Sequence, residues 1–180
     1  GVKDMKETYL PAFKACVREA GAASVMGAYN RTNGEACCAS TILLQDILRD
    51  EWGFDGYVVS DWGAVADRVK GIQAGLDLEM PSSNGVNDKK IVQAVKSGQL
   101  DESIVDRAVL RILEISNRCL KQAKPDTVWD MDAQHQLSGE LAAECMVLLK
   151  NEDSILPLRK GDSVAFIGEF AEKPRFQGGG

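Results

Sequence analysis

At 180 residues, 44% of them hydrophobic, the chain is long enough to build a folded domain around a sizeable core, which argues against disorder as its default state. A net charge of −6, with Lys and Arg scattered along the sequence, argues against nucleic acid or an anionic membrane surface as a partner, since both need a clustered basic patch that releases counterions. A neutral small molecule fits this balance better.

Five cysteines include the adjacent pair Cys37 and Cys38, there is no C-x-x-C spacing, and His135 is the single histidine. A zinc site is therefore not expected. Neighbouring cysteines rarely meet disulfide geometry, so the thiols are read as reduced, which leans towards an intracellular, cytoplasmic setting. No charged-then-apolar leader opens the sequence and no run of 18 apolar residues could span a membrane. The start at Gly1 and the stop at Gly178-Gly179-Gly180 give the expectation that both ends were cut from a longer protein.

Taken in chain order, Tyr9, Leu10, Phe13, Ala15 and Val17 recur at helical spacing and predict a helix over 6–20, with Gly21 as its C-cap. Residues 24–29 form an almost uncharged run that predicts a buried strand, ended by the turn pair Asn33-Gly34. Ile42, Leu43, Leu44, Ile47 and Leu48 make an apolar stripe on a helix over 40–51. A turn at 53–56 leads into the β-branched strand 57–60, then a helix over 64–74 and a third strand over 76–80, stopped by Pro81.

Helices follow over 89–96 and 101–120, the latter with Ile104, Val105, Ala108, Val109, Ile112 and Leu113 as its buried face. Strands separated by helices of this length imply parallel pairing, hence an α/β protein, with too few units to close a barrel alone. From 121 the pattern lapses into a polar, Pro-containing linker, 134–149 returns as a helix, and 163–168 predicts a fresh buried strand opening a second domain. His135 is assigned a structural role in its helix.

The chemistry concentrates at strand ends. Asp61 follows the strand 57–60 directly, at the C-terminal lip of a parallel sheet where α/β active sites are built, although an Asp there also serves as a helix N-cap. Trp62 adds a flat apolar face on which a sugar ring could stack. Met26 and Tyr29 finish the first strand and Glu79 and Met80 the third, so three lips would face one pocket; Met26 and Met80 could equally be core filler and Tyr29 a buried tyrosine. Glycoside hydrolysis needs two carboxyl groups flanking the anomeric carbon, which would make Asp61 one and Glu79 the best local second. Asn30-Arg31-Thr32 is a formal glycosylation sequon beside that pocket, where a glycan would block entry, and is read as coincidence.

Five segments together resemble glycoside hydrolase family 3: residues 25–30 with Asn33-Gly34; Leu48-Arg49-Asp50-Glu51-Trp52-Gly53-Phe54-Asp55-Gly56; Val59-Ser60-Asp61-Trp62-Gly63; Gly75-Leu76-Asp77-Leu78-Glu79-Met80-Pro81; and Val147-Leu148-Leu149-Lys150-Asn151 with Leu156-Pro157-Leu158. The resemblance covers nearly the whole chain. It implies that residues 1–120 are the last part of an N-terminal (β/α)8 barrel, that 121–162 are a linker with an inter-domain helix, and that 163–180 start an α/β sandwich. It further implies Asp61 as the nucleophile of a retaining mechanism, Met26, Tyr29 and Trp62 as walls of the subsite for the non-reducing sugar, and a general acid outside this chain, which leaves Glu79 a structural role. Ser60-Asp61-Trp62 looks like the glucosidase and xylosidase branch, so the implied substrate is an oligosaccharide or β-glucoside, with β-xylosidase or arabinofuranosidase activity as the near alternative. No metal or organic cofactor is implied. Outside this class stands a non-catalytic carbohydrate-binding fragment; an aldolase would want a Schiff-base lysine at a strand end, and none is placed there.

Overall fold

The computed structural model describes residues 1–175, which divide into two compact units, Gly1–Pro125 and a second starting at Asp126. The first unit opens with α1 (Val2–Asp4), a π-helical turn (Met5–Tyr9) and α2 (Leu10–Arg18), with Pro11 in the first turn of α2. Strand β1 (Ser24–Gly27) is followed by a small antiparallel hairpin, β2 (Arg31–Thr32) and β3 (Glu35–Ala36). Its turn holds Asn33 at φ 52° and Gly34 at φ 89°, the left-handed pair that suits the twist of two strands. A 3₁₀ turn (Cys37–Ala39) and a π-helix (Ile42–Glu51) then lead to β4 (Tyr57–Ser60).

Strands β1 and β4 pair in parallel, in the register Ser24 with Tyr57 through Gly27 with Ser60, and Leu78 bridges in parallel to the other side of β4 at Val59. Helix α3 (Arg68–Ala74) makes that second crossover, and α4 (Val86–Lys96) and α5 (Glu102–Gln122) follow. The architecture is α/β. Entry into β4 requires glycine at Gly56: a Cβ there would lie 2.1 Å from the Ala23 carbonyl oxygen and 2.8 Å from the Phe54 ring.

Two apolar clusters hold this unit. Leu44, Ile47, Leu48, Trp52 and Phe54 close over Val58 of β4 together with Ala74 and Leu76, while Ile72, Ala94, Leu100 and Ala108 join α3, α4 and α5. Each fully buried Val or Leu among them contributes about 1.5–3 kcal/mol. Asp67 and Asp101 cap α3 and α5 by accepting the N–H groups of Lys70 at 3.0 Å and Ser103 at 2.8 Å, and Gly75 ends α3 at φ 111°.

Several expectations need correction. The helix predicted over 64–74 begins only at Arg68, because Gly63 and Ala64 are spent on a turn in which their N–H groups go to Met80 and Asp61 carbonyls at 2.9 and 3.0 Å. The strand predicted over 76–80 reduces to the single bridge at Leu78. There the Val58 N–H is taken by the Asp77 carboxylate at 2.7 Å and the Met80 N–H by the Ser60 hydroxyl at 2.8 Å, so side chains stand where a backbone ladder would run. The predicted buried face of α5 is narrower than expected: Ala108 and Ile115 are buried, whereas Val109 and Leu113 are exposed. They lie off the 3.6-residue stripe.

In the second unit α6 (Met131–Glu144) is capped by Asp130, and α7 (Glu169–Glu172) is a short turn. Residues 163–168 form no strand, correcting the sequence expectation, because a strand needs a hydrogen-bonded neighbour and the described residues of this unit supply none. Val164, Phe166 and Ile167 accordingly stand exposed. His135 is also exposed on α6 and packs in no core, against the structural role expected of it. Part of the expected sandwich start, residues 176–180, lies outside the described residues. No helix of the described residues is long and apolar enough to cross a membrane.

Candidate active site

Asp61 is the first residue beyond β4, and its N–H reaches back to the Gly27 carbonyl of β1 at 2.9 Å, which fixes it at the C-terminal lip of the parallel pair. Its carboxylate accepts the N–H of Trp62 at 2.7 Å, and its carbonyl accepts that of Ala64 at 3.0 Å. Asp61 caps no helix: α3 starts seven residues on, behind its own cap Asp67. Tyr29, two residues past β1, donates its hydroxyl to the Trp62 carbonyl and also faces the Asp61 carboxylate. Loss of water around the phenol, then the charge of Asp61, push the Tyr29 pKa up, so the hydroxyl remains a donor well above neutral pH.

Tyr29 and Trp62 are 60% and 55% exposed, two large rings left open beside a half-buried carboxylate. Polar tips on apolar bodies suit a polyhydroxylated ligand with apolar ring faces. Met26, 51% exposed and paired with Val59 in the register of the sheet, instead lines a largely apolar groove of about 830 Å³ with Leu10, Phe13 and Val25; neither Asp61, Tyr29 nor Trp62 is part of its wall. The fold thus joins Asp61, Tyr29 and Trp62 directly and sets Met26 one strand pairing away.

Beneath this lip lies Cys38, buried, its thiol donating to the Ala28 carbonyl at 3.7 Å. Burial, the neighbouring Cys37 thiol and the charge of Asp61 push the Cys38 thiol up, against a hydrogen bond with the Asp61 backbone that pulls it down. The neutral thiol adds no second charge next to the carboxylate. The close approach depends on Gly27, where a Cβ would meet the Cys38 sulfur at 2.7 Å.

Glu79 is occupied structurally. One carboxylate oxygen accepts from Asn87 at 2.6 Å and the other lies 3.8 Å from the Arg68 guanidinium. Sequence reasoning missed the larger network next to it: Asp77, its side chain 1% exposed, binds Arg49 at 2.7 Å and Arg111 at 2.9 Å, while Arg68 donates to the Leu76 and Asp77 carbonyls at 3.0 Å. Burial draws the guanidinium pKa values of Arg49 and Arg68 down, opposed by the nearby carboxylates of Asp77 and Glu79. The sequence signal was an acid embedded in the apolar run Gly75-Leu76-Asp77-Leu78 and arginines set into apolar helix faces. Among the described residues no group of three or more His, Cys, Asp and Glu side chains is placed to hold a metal ion.

Comparison with known proteins gives the constellation a context. The thermostable β-glucosidase B of Acetivibrio thermocellus is 53% identical over 99% of this chain, and an exo-α-(1→6)-L-arabinopyranosidase of Bifidobacterium longum is 42% identical over 98% of it. The crystal structure of a family 3 β-glucosidase from Bifidobacterium adolescentis matches 99% of the chain with a TM-score of 0.83 at 41% identity, and β-glucosidase 3B of Thermotoga neapolitana, solved with α-D-glucose, matches 88% with a TM-score of 0.75 at 34% identity. The chain spans 24% of the length of each of the two sequence relatives and 26% and 23% of the two solved chains, about a quarter in every case. Residues 1–115 match the model of the glycosyl hydrolase family 3 N-terminal domain, and the chain belongs to that family.

Proposed function

We propose that this chain is the nucleophile-bearing part of a retaining glycosidase that removes terminal β-D-glucosyl residues from oligosaccharides or other β-glucosides. Asp61 attacks the anomeric carbon as the bond to the leaving oxygen breaks, and water then hydrolyses the covalent glycosyl-enzyme. The leaving oxygen is protonated by a general acid outside this chain. Glu79 does not fill that role, because both of its oxygens are engaged by Asn87 and Arg68. Tyr29 and Trp62 hold the sugar of the non-reducing end against Asp61, while Met26 stands one strand pairing away in the neighbouring groove.

The observation that carries this is the carboxylate of Asp61 at the end of β4, facing the Tyr29 hydroxyl beside the open ring of Trp62. The parallel arrangement of β1, β4 and Leu78 supports assigning residues 1–120 to the last part of a (β/α)8 barrel; the assignment of 121–162 as linker and inter-domain helix and of 163–180 to a following α/β domain rests on the family resemblance of the sequence alone. A second substrate class has its own support: the relatives include arabinopyranosidases, so a pentopyranoside, or the xyloside expected from the sequence, competes with glucoside.

The test is made on the full-length polypeptide that carries this chain, with Asp61 intact or changed to Ala, assayed on p-nitrophenyl β-glucoside, β-xyloside and α-L-arabinopyranoside. Hydrolysis that collapses by several orders of magnitude in Asp61→Ala supports the nucleophile, and the fastest substrate identifies the sugar. Equal activity in both proteins removes Asp61 from the mechanism. Sugar binding without turnover in either makes the chain part of a carbohydrate-binding protein instead.

A further inference from the structure

We infer that the Ser60 hydroxyl is a positioning residue for Asp61, clamping the loop that presents the carboxylate to its neighbouring segment at Met80; this rests on Asp61 being the nucleophile. Ser60 is wholly buried, and its hydroxyl makes both of its bonds to one residue, accepting the Met80 N–H at 2.8 Å and donating to the Met80 carbonyl at 3.1 Å. The same carbonyl accepts the Gly63 N–H at 2.9 Å. Met80 is therefore gripped immediately before Asp61 and immediately after Trp62.

Every N–H from Ser60 to Ala64 already has a partner: Leu78, Gly27 and Met80 hold those of Ser60, Asp61 and Gly63 from outside the loop, and Asp61 itself accepts those of Trp62 and Ala64. On the sheet side the loop is thus fixed at Gly27, Leu78 and Met80, and Ser60 supplies the only side chain in the last of these. Removing the hydroxyl leaves the Met80 N–H without its partner in a part-buried place, and the segment recovers it only by shifting. A shift at Met80 moves Gly63, and the Asp61 carboxylate turns with it. Displacement of a reacting group by about 1 Å costs up to roughly 100-fold in rate.

The experiment compares wild type, Ser60→Ala, Ser60→Thr and Asp61→Ala in the full-length protein on p-nitrophenyl β-glucoside. Competent sites are counted by trapping the glycosyl-enzyme with a 2-deoxy-2-fluoroglucoside, and each variant is melted. The expected result for Ser60→Ala is a kcat per competent site lower by roughly 10- to 100-fold with KM changed only a few-fold. Ser60→Thr, which keeps the hydroxyl, should recover most of that loss per competent site. An unchanged kcat per site in Ser60→Ala, or a loss explained wholly by fewer competent sites, overturns the proposal, as does Ser60→Thr matching Ser60→Ala per site. Full activity in Asp61→Ala would instead bring down the nucleophile assignment on which it rests, so the two failures are told apart.

Discussion

The Asp77 carboxylate accepts the backbone N–H of Val58 at 2.7 Å, with the oxygen that also binds Arg49 at 2.7 Å. An acid carried by the segment after α3 thereby completes the hydrogen bonding of β4, three residues before Asp61. Arg49 extends the tie by donating to the Gly56 carbonyl at 3.0 Å, and Arg111 brings in α5 through the other carboxylate oxygen at 2.9 Å. The strand end is held by a buried ionic network as much as by its neighbours.

Replacing Asp77 with Asn keeps the shape and removes the charge, leaving the buried Arg49 without its counter-ion. Breaking a buried pair in this way costs about 3–5 kcal/mol. Denaturant unfolding of the full-length protein should show that loss, and Asp77→Asn combined with Arg49→Met should recover part of it. A destabilisation below about 1 kcal/mol would place Asp77 among ordinary surface pairs.

Gly27→Ala drives a Cβ to within 2.7 Å of the Cys38 sulfur, directly under the carbonyl that anchors Asp61. Overpacking of this kind costs about 1–3 kcal/mol. A double-mutant cycle with Cys38→Ala should show coupling of about 0.5–3 kcal/mol, the smaller side chain making room for the added methyl. Strictly additive effects would mean the two residues do not press on one another.

Tyr29→Phe removes the donor to the Trp62 carbonyl and the phenol that faces Asp61. Activity on the preferred glycoside should fall by roughly 10²-fold. The sign of the pH effect follows from the raised pKa: the protonated phenol is favoured in the folded protein, so its contribution is complete below the ordinary tyrosine range and lost as pH rises through the raised value. Steady-state rates should show an alkaline limb in wild type that Tyr29→Phe lacks.

Asp101 caps α5, and hydrogen bonds from the Ser103 hydroxyl and N–H hold its carboxyl below the usual range. A lowered folded pKa contributes stability that is present above the unfolded value and disappears as pH falls through the folded one. Asp101→Asn, an equally good cap without the charge, should flatten this acid-side loss in thermal melts, whereas Asp101→Ala should be less stable at every pH.

The order of elements and the place of Asp61 were legible in the sequence because both depend on short-range pattern. The run Tyr57-Val58-Val59-Ser60 makes a strand wherever it is buried, and the residue after it must stand at the lip. The caps Asp67 and Asp101 are local too, an Asp just before each helix, yet the helix expected over 64–74 ran past the first of them. The segment 76–80 was misjudged for the opposite reason: its composition is that of a strand, but Asp77 and Ser60 divert its ladder hydrogen bonds to side chains. The strand predicted at 163–168 failed because apolar composition cannot supply the neighbour a strand needs. Amino-acid order alone thus determined where the main helices and the strands β1 and β4 lie and which carboxylate ends a strand, since periodicity and strand polarity are written into consecutive residues. Only the tertiary structure decided that three arginines gather around Asp77, that Cys38 lies beneath Gly27 and that Ser60 closes on Met80, because a buried polar atom takes whichever partner the folded chain brings within hydrogen-bonding distance, however far away in sequence.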